Sequence, residues 1–122
     1  MKFGEFLKQK RLERNIKAKT AAEKWNISPA YLSSLENGSR SAPSCGLIEK
    51  MADSLELDIY DRYRLYDLAA ESKNPHELSR DLIEYIYQTP SIRKLLRYTI
   101  CCELTEKEWS VIFNFVKSNY IY

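Results

Sequence analysis

In the stretch NISPAYLSSLENGSRSAP (Asn26–Pro43), Ala30, Ser33, Ser34 and Asn37 recur at spacings of three, one and three. Projected at about 100° per residue, a helix here brings two hydroxyls, a carboxamide and a methyl group to one stripe. Leu32 and Leu35 fall nearly opposite and anchor the helix in a core. Serine is a mediocre helix former, because its hydroxyl competes for nearby backbone groups. An ordinary surface helix would carry Glu, Lys or Gln at these positions. The chemistry of the stripe is therefore hydrogen bonding to, and close approach by, a large surface.

Catalytic chemistry finds no comparable set of residues. His76 is the single histidine, with no Cys-His or Ser-His-Asp arrangement at informative spacing and no Gly-rich phosphate loop. An enzyme is not expected. Cys45, Cys101 and Cys102 are odd in number and two are adjacent, which is no disulfide framework. With one histidine they form no metal-ligand spacing, so neither a metal nor a cofactor is expected. The cysteines read as small buried hydrophobes in a reducing cytosol.

The elements that must position the stripe follow from composition and periodicity. The chain has 122 residues, 44% hydrophobic and 30% charged, which suits one domain, or one small domain with a short annex. Three Gly and four Pro argue for helices with short connections. No apolar run is long enough to cross a bilayer, and MKFGEFLKQKR lacks the apolar stretch of a signal peptide, so a cytoplasmic location is expected with no membrane partner. Residues 1–50 carry ten Lys or Arg against five Glu, whereas the rest carries nine basic against twelve acidic residues. The N-terminal part thus suits a nucleic-acid partner.

Phe3 to Arg14 reads as a first helix and Ala18 to Trp25 as a second, with Asn26-Ile27 a tight connection. Ser28-Pro29 opens the third helix with a serine cap and a proline at the first helical position, and Gly38 follows its end. Ser44 and Asp58 start a fourth and a fifth helix. After the break SKNPHE, Asn74-Pro75 marks a new start, Thr89-Pro90 another, and Thr105 with Glu108 forms a capping box for the last. No segment shows strand alternation. The expected fold is all-α, with a helical bundle over 1–72 and a C-terminal helical extension over 73–122.

Two short helices joined by Asn26-Ile27-Ser28 form a helix-turn-helix, in which the second helix enters the major groove. FGEFLKQKRLERNI, AAEKWNISPAYLSSLENGSRSAP and LIEKMADSLELD resemble the phage-repressor and Cro type of helix-turn-helix family, also called the xenobiotic-response-element (XRE) family, over residues 3 to about 58. The resemblance implies a five-helix lambda-repressor-like bundle, extended here by about three helices, in a DNA-binding transcriptional regulator. It places Pro29, Ala30, Ser33 and Ser34 at base-facing positions. Asn37, Ser39, Arg40 and Ser41 fall where members contact phosphates or flanking bases, and Arg11 and Glu36 match a structural salt bridge. Lys17, Lys19 and Lys24 are candidate backbone contacts, and Tyr31 either stacks near the backbone or packs half-buried.

The sequence departs from the family at Lys17-Ala18, where members often carry Ser or Thr then Gln, and at Pro29-Ala30, where a long donor is missing. Bidentate base readout from the helix start is therefore absent, which leaves Ser hydroxyls, thymine-methyl contacts, Arg40 and DNA shape to supply specificity.

Trp109, Ile112, Phe113, Phe115, Val116, Tyr120 and Tyr122 give the last helix more apolar surface than a short chain normally hides. Either it packs back on the bundle or it forms a two-fold dimer interface, for which Trp109, Ile112, Phe113, Val116 and Tyr120 are the candidates. Family resemblance favours a homodimer on a palindromic operator, with the recognition helix Ser28–Asn37 in the major groove and repression of a prophage or mobile-element type. The alternative is an antitoxin whose C-terminal half binds a toxin while its N-terminal half autoregulates the operon.

Overall fold

The computed structural model describes residues 1–120; Tyr122 lies outside the described residues. Within them the chain forms eight helices, in the order α1 (Phe3–Glu13), α2 (Ala18–Lys24), α3 (Pro29–Glu36), α4 (Cys45–Ser54), α5 (Ile59–Lys73), α6 (Arg80–Gln88), α7 (Pro90–Cys102) and α8 (Glu106–Asn119), and no strand.

Local chemistry sets most boundaries. The Lys2 N–H donates to Glu5 Oε2 at 3.1 Å and holds the start of α1. Asn15, Asn26, Glu56 and Glu103 adopt left-handed φ values of 56°, 55°, 50° and 52°. Each follows a helix and turns the chain, a conformation that asparagine tolerates better than most residues. Ser28 Oγ accepts the Tyr31 N–H at 3.0 Å, and Asp58 Oδ1 accepts the Asp61 N–H at 2.8 Å, so α3 and α5 have side-chain caps. Thr105 and Glu108 form the reciprocal box at α8, whereas Ser44 and Thr89 stand at cap positions without a side-chain bond.

Residues group into two compact units, Met1–Leu82 and Ile83–Tyr122, with the division inside α6. In the first unit α1 packs on α3 and α5, α2 on α3, and α4 on α5. Leu7, Leu32, Leu35, Met51, Leu55 and Leu65 are fully enclosed at its centre. Trp25 is buried beside them and donates Nε1–H to Ser54 Oγ at 2.6 Å, which satisfies its one polar group. Arg14 closes the far side through Glu56, donating to Oε2 at 2.7 Å and to the carbonyl at 3.0 Å.

The second unit is built differently. Thr99 is its only buried residue among those described. Ile92, Leu96, Trp109 and Ile112 are half-buried, while Leu95, Ile100, Val111, Phe113, Phe115, Val116 and Tyr120 stand exposed. Arg93 donates Nη1–H to the carbonyls of Ile86 and Tyr87 in the last turn of α6.

Two expectations are corrected. No helix begins at Asn74-Pro75: Asn74 instead accepts the His76 N–H on Oδ1 and the Glu77 N–H on its carbonyl, a local turn that delays α6 to Arg80. All three cysteines are exposed rather than buried. Cys45 is the first residue of α4, and Cys101 and Cys102 lie in the last turn of α7, beyond the buried Thr99.

Candidate nucleic-acid interface

The turn between α2 and α3 is closed by Asn26 and by the Ile27 N–H, which donates to Ala22 O at 3.0 Å. From it α3 leaves with Leu32 and Leu35 fully buried and Pro29, Ala30, Ser33 and Asn37 exposed. Ser34 is half-buried at the edge of the stripe. No long side chain rises from this face, so a duplex backbone on either side could approach the helix axis closely. Lys17 and Lys19 stand exposed at the start of α2, as does Lys24 at its end. Tyr31 is half-buried and packs on the core.

What fixes the pitch of α3 is a buried ion pair. Arg11 Nε donates to Glu36 Oε1 at 2.6 Å and Nη2 to Oε2 at 3.0 Å, while Nη1 donates to Ile16 O at 2.8 Å. The Arg11 and Glu36 side chains are 7% and 9% exposed. One guanidinium therefore joins α1, the α1–α2 turn and the last turn of α3, with its fork matched to the carboxylate. Beside it Lys10 contacts Asp61 at 2.9 Å and Glu13 at 3.3 Å. The hydrogen bond to Asp61 is the main reason its ammonium titrates above the ordinary lysine value, against the opposing effect of burial.

Beyond α3 the chain turns at Gly38, whose φ of 84° favours glycine. Ser39 donates its N–H to Asn37 Oδ1 at 2.9 Å, and the Arg40 N–H donates to Ser34 O at 3.1 Å. Ser39, Arg40 and Ser41 are exposed and continue the line of the α3 stripe along the chain. A cavity of about 380 Å³ borders this loop, with Lys2, Gly38, Arg40, Ser41, Glu71 and Ser72 in its wall. The expected interface residues Trp109, Ile112, Phe113, Val116 and Tyr120 all lie in the second unit, on α8 and its C-cap.

Two contributors escaped the sequence reading. Gly4 lies where a β-carbon would run into Leu35 O and stand 2.7 Å from Glu36 O, so α1 touches the end of α3 backbone to backbone. A glycine inside a helical pattern was the available signal for such an approach. Gly4→Ala is expected to cost about 1–3 kcal/mol, by the logic of overpacking, and to displace the end of α3. Thermal unfolding together with amide chemical shifts of residues 33–40 checks this; an unchanged spectrum would mean that α1 retreats without disturbing α3. The second contributor, Ser72, had no sequence signal, because its partner is 30 positions away.

A helix carried to the surface by its own core residues, preceded by a four-residue reversal and bounded by lysines, is the arrangement of a helix-turn-helix DNA-binding module. Residues 7–61 match the family model described as "Helix-turn-helix", and this segment is a helix-turn-helix domain of the phage-repressor and Cro (XRE) type. Residues 7–61 thus carry the fold of a DNA-binding module. A solved structure described as a SinR protein/SinI protein complex is similar at 23% identity and a TM-score of 0.48, over 94% of this chain and 94% of that chain. No curated protein matches the chain. Among the described residues no helix is long and apolar enough to cross a membrane.

Proposed function

We propose that the chain is a sequence-specific, double-stranded DNA-binding repressor that inserts Ser28–Asn37 into the major groove and acts as a homodimer on a palindromic operator. The observation that carries the groove assignment is the exposed stripe of Ala30, Ser33 and Asn37 on a helix whose last turn is held by the Arg11–Glu36 pair. Small side chains let the helix sit between the phosphate ridges. Ser33 and Ser34 then meet base edges, while Lys17, Lys19 and Arg40 meet phosphates. Pro29 and Ala30 offer apolar surface to a thymine methyl.

Dimerisation is supported by the second unit. A segment of this size with one buried residue among those described does not enclose a core of its own. Phe113 and Tyr120 are 55% and 69% exposed. Glu106 and Lys117 lie near opposite ends of α8 and on the same edge of it. Antiparallel packing against a second copy therefore covers the apolar face and brings each Glu106 toward the partner's Lys117.

The test is binding of the purified chain to its own promoter region at several salt concentrations, with light scattering in parallel. About three cationic contacts per protomer on two protomers predict a slope of log affinity against log salt of roughly −5, with protection of a palindrome over random DNA. Phe113→Asp is expected to give a monomer and to weaken operator binding by roughly ten- to a hundredfold through lost bivalency. A Phe113→Asp chain that stayed dimeric would refute the α8 interface. A wild-type chain that was monomeric, bound DNA without preference and co-purified with a small protein encoded beside it would instead establish the antitoxin reading.

A further inference from the structure

The loop that carries Arg40 is tied to α3 by Ser39, whose N–H donates to Asn37 Oδ1 and whose hydroxyl donates to Ser34 O, and on its far side it is held through Ala42, while a cavity borders the stretch between. On the α3 side the Arg40 N–H donates to Ser34 O at 3.1 Å. On the other side the Ala42 N–H donates to Ser72 Oγ at 2.9 Å, and the Ser72 hydroxyl donates onward to Ala69 O at 2.7 Å. Ser72 lies in the last turn of α5, so its hydroxyl is oriented by its own helix before it receives the loop. The cavity of about 380 Å³ bordering Gly38, Arg40 and Ser41 leaves that stretch without close packing on one side. Packing resumes only at the buried Ala42 and Pro43. A loop over a void takes its shape from its anchors.

We propose that Ser72 is a positioning residue for DNA binding: by accepting the Ala42 N–H, its hydroxyl holds the Ser39–Ser41 loop so that Arg40 meets the DNA backbone. This rests on the DNA-binding reading above and adds a requirement on α5, an element with no part in the helix-turn-helix itself. Arg40 is exposed, and a long flexible cation gains a defined phosphate contact only if its own backbone is held. Losing the anchor leaves the charge in place but spreads it over many loop conformations.

The experiment is a double-mutant cycle between Ser72→Ala and Arg40→Ala in the full chain, read by DNA affinity against salt, with amide hydrogen exchange in the absence of DNA. Ser72→Ala is expected to weaken DNA binding about five- to tenfold and to make the salt slope shallower by about one per protomer. In the Arg40→Ala background it should produce no further loss, because it acts through Arg40. The Ala42 amide should exchange at least about tenfold faster, and Ser72→Thr, which keeps a hydroxyl able to bond a carbonyl in the preceding turn, should restore both readouts. Full additivity of the two substitutions, or an unchanged salt slope, would overturn the positioning role. So would an Ala42 amide indifferent to Ser72→Ala, which would show that the loop is held by other means. A wild-type chain without salt-dependent DNA binding would overturn the DNA reading and this role together, and the exchange result would still say whether Ser72 anchors the loop.

Discussion

Ser33→Glu is expected to abolish specific DNA binding, by at least about a hundredfold, while the thermal melt moves by no more than ~2 °C. Ser33 is exposed on the outward stripe of α3, so the longer side chain meets no protein atom in the folded chain. Glutamate is also a better helix former than serine, so local propensity does not oppose the change. The damage falls on the complex. Once α3 lies between two phosphate ridges the new carboxylate is like-charged with everything around it, and such juxtaposition costs several kcal/mol. Electrophoretic mobility or fluorescence anisotropy on the promoter fragment, beside a melt of the same preparation, provides the check. Retained affinity would mean that another face of the domain meets DNA. Ser33→Ala is the companion measurement: it removes one hydroxyl and no charge, and should cost about 1 kcal/mol.

The second large effect is on stability. Glu36→Ala leaves the Arg11 guanidinium enclosed with only the Ile16 carbonyl as partner. Removing one member of a buried ion pair costs about 3–5 kcal/mol, because the remaining charge is neither solvated nor paired. For a domain of this size that corresponds to a fall in Tm of more than ~12 °C. Removing both charges has a different outcome. Arg11→Met with Glu36→Leu replaces the pair by apolar groups of similar bulk, and the double variant should recover most of the lost stability. Denaturant unfolding of the two single variants and the double variant decides it. A double variant no better than the worse single one would show that the Arg11 bond to Ile16 O, rather than the pair, is what the fold needs.

Most of the first unit was legible in the sequence for a simple reason: its signals are local. The Ser28-Pro29 start of α3 and Asp58 before α5 each act within four residues and stand where a helix begins, as does the box of Thr105 with Glu108 in the second unit. The separation of Leu32 and Leu35 from the polar stripe follows from helical periodicity alone. The Arg11–Glu36 distance is 25 positions along the chain, and only the resemblance to a family pointed to it.

What sequence did not disclose depends on parts that meet in space. Gly4 near the end of α3 and Ser72 beneath Ala42 carry no periodic or capping signature. At Asn74-Pro75 two competing rules met: proline favours a first helical turn, but asparagine formed its own turn first. Cys101 and Cys102 were misread because burial is set by how much a unit encloses, and residues 83–120 enclose almost nothing, whereas Cys45 is exposed at the start of α4.

The Arg11 fork and the backbone contact at Gly4 together fasten α3 to α1 at one end. A recognition helix clamped in that way has little freedom to tilt or slide within its own domain. On the palindromic operator proposed above, two such domains would accommodate a misplaced half-site by bending the duplex, since the reader itself is stiff. One base pair inserted at the operator's centre turns the second half-site by about a tenth of a helical turn, beyond what a clamped helix follows. The operator should thus tolerate a changed letter better than a changed length.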